Sequence, residues 1–164
     1  MRNLLYPASF DPITNGHVWM IERGSEMADY LTIAIAQHPT KQYTFSIEDR
    51  MLMMCELLAA RNVENVTVVN SRDMLTAHLA AASNSYILRG LRGVSDVDYE
   101  RSMRHVNHDI AAVQTIFLMP PSELERVSSS MVRGICQSPG GLDDIQSYVP
   151  PNIFKWLKGK YGNT

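Results

Sequence analysis

Short apolar runs rich in branched and aromatic side chains fall at residues 3–6, 30–36, 66–69, 86–88 and 115–119. Between them lie longer stretches in which apolar positions recur every three or four residues, the spacing of a helix with one buried stripe. Strands alternating with helices predict an α/β domain: a Rossmann-like, mainly parallel sheet with helices on both faces. The clearest helix follows Ser46, Ile47, Glu48 and Asp49, which match a capping box ahead of Met51, Leu52, Met54, Leu57 and Leu58. Further helices are expected near 16–27, 73–82, 96–112, 129–136, 143–148 and 152–158, the last three forming a C-terminal helical group, and residues 159–164 read as a frayed polar tail. The methionines of the capped helix read as core filler rather than ligands.

In a sheet of this kind, ligands bind beyond the carboxyl ends of the strands, where connections diverge to opposite faces. The informative polar residues sit there: Ser9 after the first strand, Lys41 after the second, Asp73 to Leu75 after the third, Arg89 to Arg92 after the fourth, and Ser128 to Ser130 after the fifth. The first loop is the most specific. Ser9, Phe10, Asp11 and Pro12 lead through Asn15-Gly16 turn chemistry into a helix whose first turn carries His17. Such a helix start offers unpaired N–H groups and the positive end of a dipole, Gly16 admits a ligand to the backbone, and His17 adds a side-chain donor. This is a place to bind phosphate.

Arg89 and Arg92, separated by Gly90 and Leu91, can send two guanidiniums into one crevice, an arrangement suited to bidentate phosphate contacts. The alternative is a surface ion pair with Asp96 or Asp98. Ser128-Ser129-Ser130 can serve as a helix cap or offer hydroxyls and N–H groups to a triphosphate, with Arg133 following on the same helix. Lys41, in the His38-Pro39-Thr40 loop, is either a solvated side chain or a mobile cation.

Size and charge narrow the choice. At 164 residues and 45% hydrophobic content, one domain spanning 1–164 is expected. A formal charge of −2 without a basic run argues against nucleic-acid binding by backbone neutralisation, and leaves small anions as ligands. Cys55 and Cys136 lack ligand spacing and read as buried free thiols in a reducing compartment. No apolar run approaches the ~20 residues of a membrane span, and the N-terminus lacks a signal-peptide core, so a cytoplasmic protein is expected. His38, His78, His105 and His108 show no metal-cage spacing, and Asp143, Asp144, Glu123 and Glu125 read as solvated charges. There is neither a P-loop nor a serine-hydrolase elbow.

Taken together, the strand, the Ser9-Phe10-Asp11-Pro12 string, Gly16-His17 at a helix start, Arg89-Gly90-Leu91-Arg92 before Tyr99-Glu100, and the three serines resemble the phosphopantetheine adenylyltransferase family. These are nucleotidyltransferases with a T/H-x-G-H motif, and the resemblance runs from about residue 3 to 157. It implies transfer of AMP from ATP to 4'-phosphopantetheine, giving dephospho-coenzyme A and pyrophosphate, with Mg2+ on the nucleotide. It further implies ATP contacts from Ser9, Phe10, His17, Gly90, Leu91, Arg92, Glu100, Leu124, Glu125, Arg126, Val127, Ser128, Ser129 and Ser130. Acceptor contacts would come from Ser9, Lys41, Met74, Leu75, Arg89 and Asn107, with His17, Lys41 and Arg92 catalytic. A homohexamer and coenzyme A as a candidate feedback ligand are implied as well. Ala8, in place of a common glycine, Leu124, in place of a common aromatic, and the 134–141 segment depart from the family pattern. Competing readings are a sister transferase acting on nicotinamide mononucleotide or an alcohol phosphate, and a catalytically silent nucleotide-binding module. A tRNA-synthetase fragment would need a K-M-S-K-S-like loop and RNA-binding appendages, which this sequence lacks.

Overall fold

The computed structural model describes residues 2–71 and 75–162. Five strands run β1 (Asn3–Ala8), β2 (Tyr30–Ile35), β3 (Val66–Asn70), β4 (Ser85–Gly90) and β5 (Thr115–Leu118). They form one sheet in the order β3-β2-β1-β4-β5, and all four pairings are parallel. The chain winds outward from β1 to β3, then crosses back to lay β4 on the other side of β1. The exits of β1 and β4 therefore diverge, which opens a crevice at the carboxyl edge.

Alternation along β1 assigns side chains to two cores. Leu4 and Tyr6 join Ile33, Ile35 and Leu88 beneath α1 (Asn15–Met27), α2 (Ile47–Arg61) and two C-terminal helices, α6 (Ser129–Cys136) and α8 (Pro151–Tyr161). Leu5 faces the other way, with Ala34, Ile87 and Val113, under α3 (Thr76–Ala82) and the end of α4 (Val94–Ala111). Helix α1 lies close on the sheet, because a Cβ at Gly24 would come within 2.8 Å of the Leu88 side chain. Short helices α5 (Ser122–Glu125) and α7 (Gly141–Asp144) complete the fold.

The capping box at α2 forms, Ser46 Oγ accepting from Asp49 N–H at 3.0 Å and Asp49 Oδ2 accepting from Ser46 N–H at 3.2 Å. Several expectations need correction. Met54, Leu57 and Leu58 are buried as expected, but Leu52 is exposed and Met53 fills the core in its place. Cys55 is likewise exposed on that helix, whereas Cys136 is buried and its thiol is pushed up by desolvation. Helix α3 runs Thr76–Ala82, the first residues of the expected 73–82 segment lying outside those described, and the helix expected at 143–148 is a single turn at Gly141–Asp144 followed by turns. The tail expected from 159 is helical through Tyr161, because Ile153 and Leu157 anchor α8 in the core. Helix α5 gave no periodic signal, being one turn long.

Candidate active site

A cleft of about 340 Å³ opens at the crevice between the β1 and β4 exits. Its walls come from β1 and its loop (Tyr6, Ser9), from α1 (Gly16, His17), from the loop after β2 (Lys41), from β4 and α4 (Arg89, Arg92, Glu100), and from the segment after β5 (Leu124, Ser128 to Ser130). Four of the loops singled out in the sequence thus converge. Of the third, Asp73 and Met74 lie outside the described residues. Leu75 is exposed just before α3 and does not border the cleft.

Local chemistry fixes the first loop firmly. Phe10 adopts a left-handed backbone with φ 50° and is fully buried, its ring against Tyr6 at 5.4 Å and His17 at 5.0 Å. It supports His17 from beneath instead of contributing a cleft surface. Asp11, 1% exposed, accepts from the N–H groups of Thr44 at 2.9 Å and Phe45 at 3.0 Å. Arg133 donates to the Asp11 carbonyl oxygen and lies 3.9 Å from its carboxylate. Buried Arg50 donates to the Ser9 carbonyl at 2.7 Å. Sequence reading missed Asp11 and Arg50 as organisers; a charged residue at an apolar helical position is the signal that Arg50 offered.

His17 is held as a neutral donor. The backbone N–H of Thr14 donates to its Nδ1 at 3.0 Å, so the ring proton resides on Nε2. Desolvation, aided by the Arg92 charge, lowers its pKa from 6.5 to about 4. Burial drives the Tyr6 phenol far above its ordinary pKa despite Arg89 and Arg92, so it stays an O–H group on the cleft wall.

Across the cleft the cations are paired. Arg89 Nε donates to Glu100 Oε2 at 2.9 Å, a second bond joins Nη2 to Oε1, and Nη1 reaches the Pro7 carbonyl at 2.9 Å. Burial opposes the Arg89 charge, but the Glu100 carboxylate outweighs it and raises its pKa. Arg92 Nε donates to Asp96 Oδ2 at 3.1 Å, the ion pair weighed in the sequence. Burial alone would raise the Asp96 carboxyl, yet the Arg92 bonds hold it below the usual range.

The serines divide their duties. Ser128 Oγ caps α6 by accepting from Met131 N–H at 3.2 Å, and Ser129 Oγ donates to the Pro12 carbonyl at 2.7 Å. Ser130 is exposed, and its hydroxyl lies 3.1 Å from Ser128 Oγ. Gly90, Leu124 and Val127 also border the cleft. Leu91, Glu125, Arg126 and Asn107 do not. The Leu91 N–H bonds Leu118 O at 2.8 Å as an extension of the sheet, and Glu125 and Arg126 face solvent. Asn107 lies two turns beyond Glu100, and at 1.5 Å per residue α4 carries it roughly 10 Å from the cleft wall. Tyr99 and Arg133, which accompany the motifs in sequence, also border the cleft, and Thr14, Met20 and Pro120 are wall residues that were not singled out as contacts.

A parallel, doubly wound sheet with a cation- and hydroxyl-lined cleft at its switch point defines a nucleotide-handling fold. The family model described as cytidylyltransferase-like matches residues 5–135. The phosphopantetheine adenylyltransferase of Neisseria meningitidis serogroup C is 40% identical over 162 residues, covering 98% of this chain and 94% of that protein. The phosphopantetheine adenylyltransferase of Chromobacterium violaceum is 36% identical, covering 98% of both. In fold, the chain matches the nicotinic acid mononucleotide adenylyltransferase of Plasmodium falciparum complexed with NaAD at a TM-score of 0.70, with 16% identity over 99% of this chain and 97% of that one. The chain belongs to the cytidylyltransferase-like family of nucleotidyltransferase enzymes, within its phosphopantetheine adenylyltransferase branch.

Proposed function

We propose that the protein transfers AMP from ATP to 4'-phosphopantetheine, releasing pyrophosphate and forming dephospho-coenzyme A. The observation that carries this reading is the convergence of His17, Lys41, Arg89, Arg92 and Ser130 on one cleft. The attacking phosphate oxygen is already anionic near neutral pH, so the chemistry needs no strong base. The protein has to bring two repelling anions together and stabilise charge on the α-phosphate and the leaving pyrophosphate. Neutral His17 offers Nε2–H to the α-phosphoryl oxygen, Lys41 approaches from the cleft mouth, Arg89 holds the nucleophile, and Arg92 with Ser130 and the start of α6 holds the triphosphate. Displacement is in line, without a covalent enzyme intermediate, and inverts a chiral α-phosphorothioate.

Mg2+ would arrive on the triphosphate oxygens of ATP, where it would neutralise developing charge beside the cations and hydroxyls of the cleft. Among the described residues no group of three His, Cys, Asp or Glu could cage a metal. Exposed apolar side chains on α4, Val97, Val106 and Ile110, favour self-association, with a homohexamer as the expected state. Coenzyme A contains both halves of the product, so the same cleft would admit it as a feedback inhibitor. The expected place of action is the cytoplasm. No helix among the described residues is long and apolar enough to cross a membrane.

The test is to supply ATP, Mg2+ and a panel of phosphorylated acceptors, 4'-phosphopantetheine and nicotinamide mononucleotide among them, and identify the nucleotidylated product by mass. Adenylation of pantetheine phosphate is expected. Preference for another acceptor would overturn the assignment.

A further inference from the structure

Lys41 stands on an exposed turn and still borders the cleft. A lysine so placed samples open solvent unless something tethers its turn, and the structure supplies a tether from outside the cleft wall. The Lys41 N–H donates to the His38 carbonyl at 3.2 Å, closing the turn. The His38 N–H in turn donates to the Tyr43 hydroxyl at 2.8 Å. The Tyr43 ring is approached by two cations, with Arg50 Cζ 4.3 Å and Lys41 Nζ 5.4 Å from its centroid. Both approach within the range at which an aromatic face attracts a cation.

Arg50 gives this ring a fixed seat. It is 0% exposed, and its guanidinium donates to Ser46 O at 3.2 Å, Ser9 O at 2.7 Å, Ala36 O at 3.0 Å and Gln37 Oε1 at 3.3 Å. One buried cation thus joins the β1 exit, the β2 exit and the start of α2, and offers its remaining face to Tyr43. The turn bearing Lys41 hangs from the same point that sets the Ser9 loop.

We propose that Tyr43 is a positioning residue: seated on Arg50, it anchors the 38–41 turn and holds the Lys41 ammonium at the cleft mouth. The inference rests on reading Lys41 as a cation directed at phosphate. Without the ring, the turn and the long lysine side chain must be ordered at each encounter with substrate, which costs conformational entropy.

The experiment compares Tyr43→Phe, Tyr43→Leu, Lys41→Ala and the double variant Tyr43→Leu/Lys41→Ala, reading amide exchange at His38 by NMR and steady-state turnover. Tyr43 is only half-buried, and Tyr43→Phe keeps the ring, so at least that variant retains the fold. Both Tyr43 variants are expected to speed exchange of the His38 amide by roughly tenfold, as loss of its acceptor opens the turn locally. Tyr43→Leu should lower kcat about tenfold with KM for ATP changed less than about twofold, and should add under about twofold when Lys41 is already alanine. Unchanged His38 exchange in Tyr43→Leu, or losses from the two single changes that multiply in the double variant, would overturn the proposal. Wild-type turnover in Lys41→Ala alongside a freed His38 amide in Tyr43→Leu would support the tether and overturn instead the reading of Lys41 as phosphate-directed.

Discussion

Where β1 leaves the sheet, the cleft wall is set in place by buried partners: His17 by Thr14 N–H, the Ser9 backbone by Arg50, and the loop itself by Asp11. Where β4 leaves it, both arginines are held by carboxylates, Arg89 by Glu100 and Arg92 by Asp96. The first arrangement is preorganised, and a ligand meets donors that need no rearrangement. In the proposed reaction, the second would exchange at least the exposed Arg92 pair for phosphate. Catalytic donors gain most from preorganisation, because reorganisation at the moment of reaction adds directly to the barrier. Binding groups tolerate an exchange, since an ion pair near solvent is nearly neutral in free energy.

The comparison breaks most visibly at His17. His17→Ala should raise the barrier to turnover by ~2–4 kcal/mol while weakening ATP binding far less, measured by single-turnover kinetics beside nucleotide titration. Equal losses in both would make it a binding group rather than a catalytic donor. Next in size, Asp11→Ala should lower stability by about 2–3 kcal/mol in denaturant melts, because two backbone N–H groups lose a charged acceptor in a buried setting.

The His17 ring supplies a pH test of the same contrast. Its pKa is near 4 in the folded protein against 6.5 when unfolded, so between these values the unfolded chain binds the proton that the folded one refuses. Stability from this group is complete above pH 6.5 and is lost as pH falls toward 4. His17→Gln should flatten that part of the stability profile, and wild-type turnover should show no His17 limb between pH 5.5 and 8. The smallest effect is expected at Asp96. The pair is exposed on the Arg92 side, 45% against 23% for Asp96, so Asp96→Asn should change stability by under ~1 kcal/mol. It should tighten inorganic triphosphate binding a few-fold with a steeper salt dependence, read by calorimetry at two ionic strengths.

The sheet was legible because parallel strands covered by helices on both faces are written as short continuous apolar runs, each found within a few residues of its observed bounds. That Ser9, His17, Lys41, Arg89 and Arg92 border one cleft was legible because strand exits of such a sheet open onto a common crevice. What escaped was what depends on distance across the fold. Nothing near Arg50 in sequence announces that it will meet Ser9, 41 residues away. Asn107 shares a helix with Glu100, but the axis of α4 takes it off the cleft wall. Cys55 shares a periodic segment with Met54, and one step of 100° round the helix takes it from the core to solvent.

The cross-ties at the cleft have a kinetic corollary. Arg89 to Pro7 spans 82 positions, Ser129 to Pro12 spans 117 and Arg133 to Asp11 spans 122, so the walls cannot be assembled from neighbouring stretches of chain. Closing such distant loops is slow, and each closure yields little until the others are made. Competence for chemistry should therefore arise late and all at once during renaturation, after helical content has already returned.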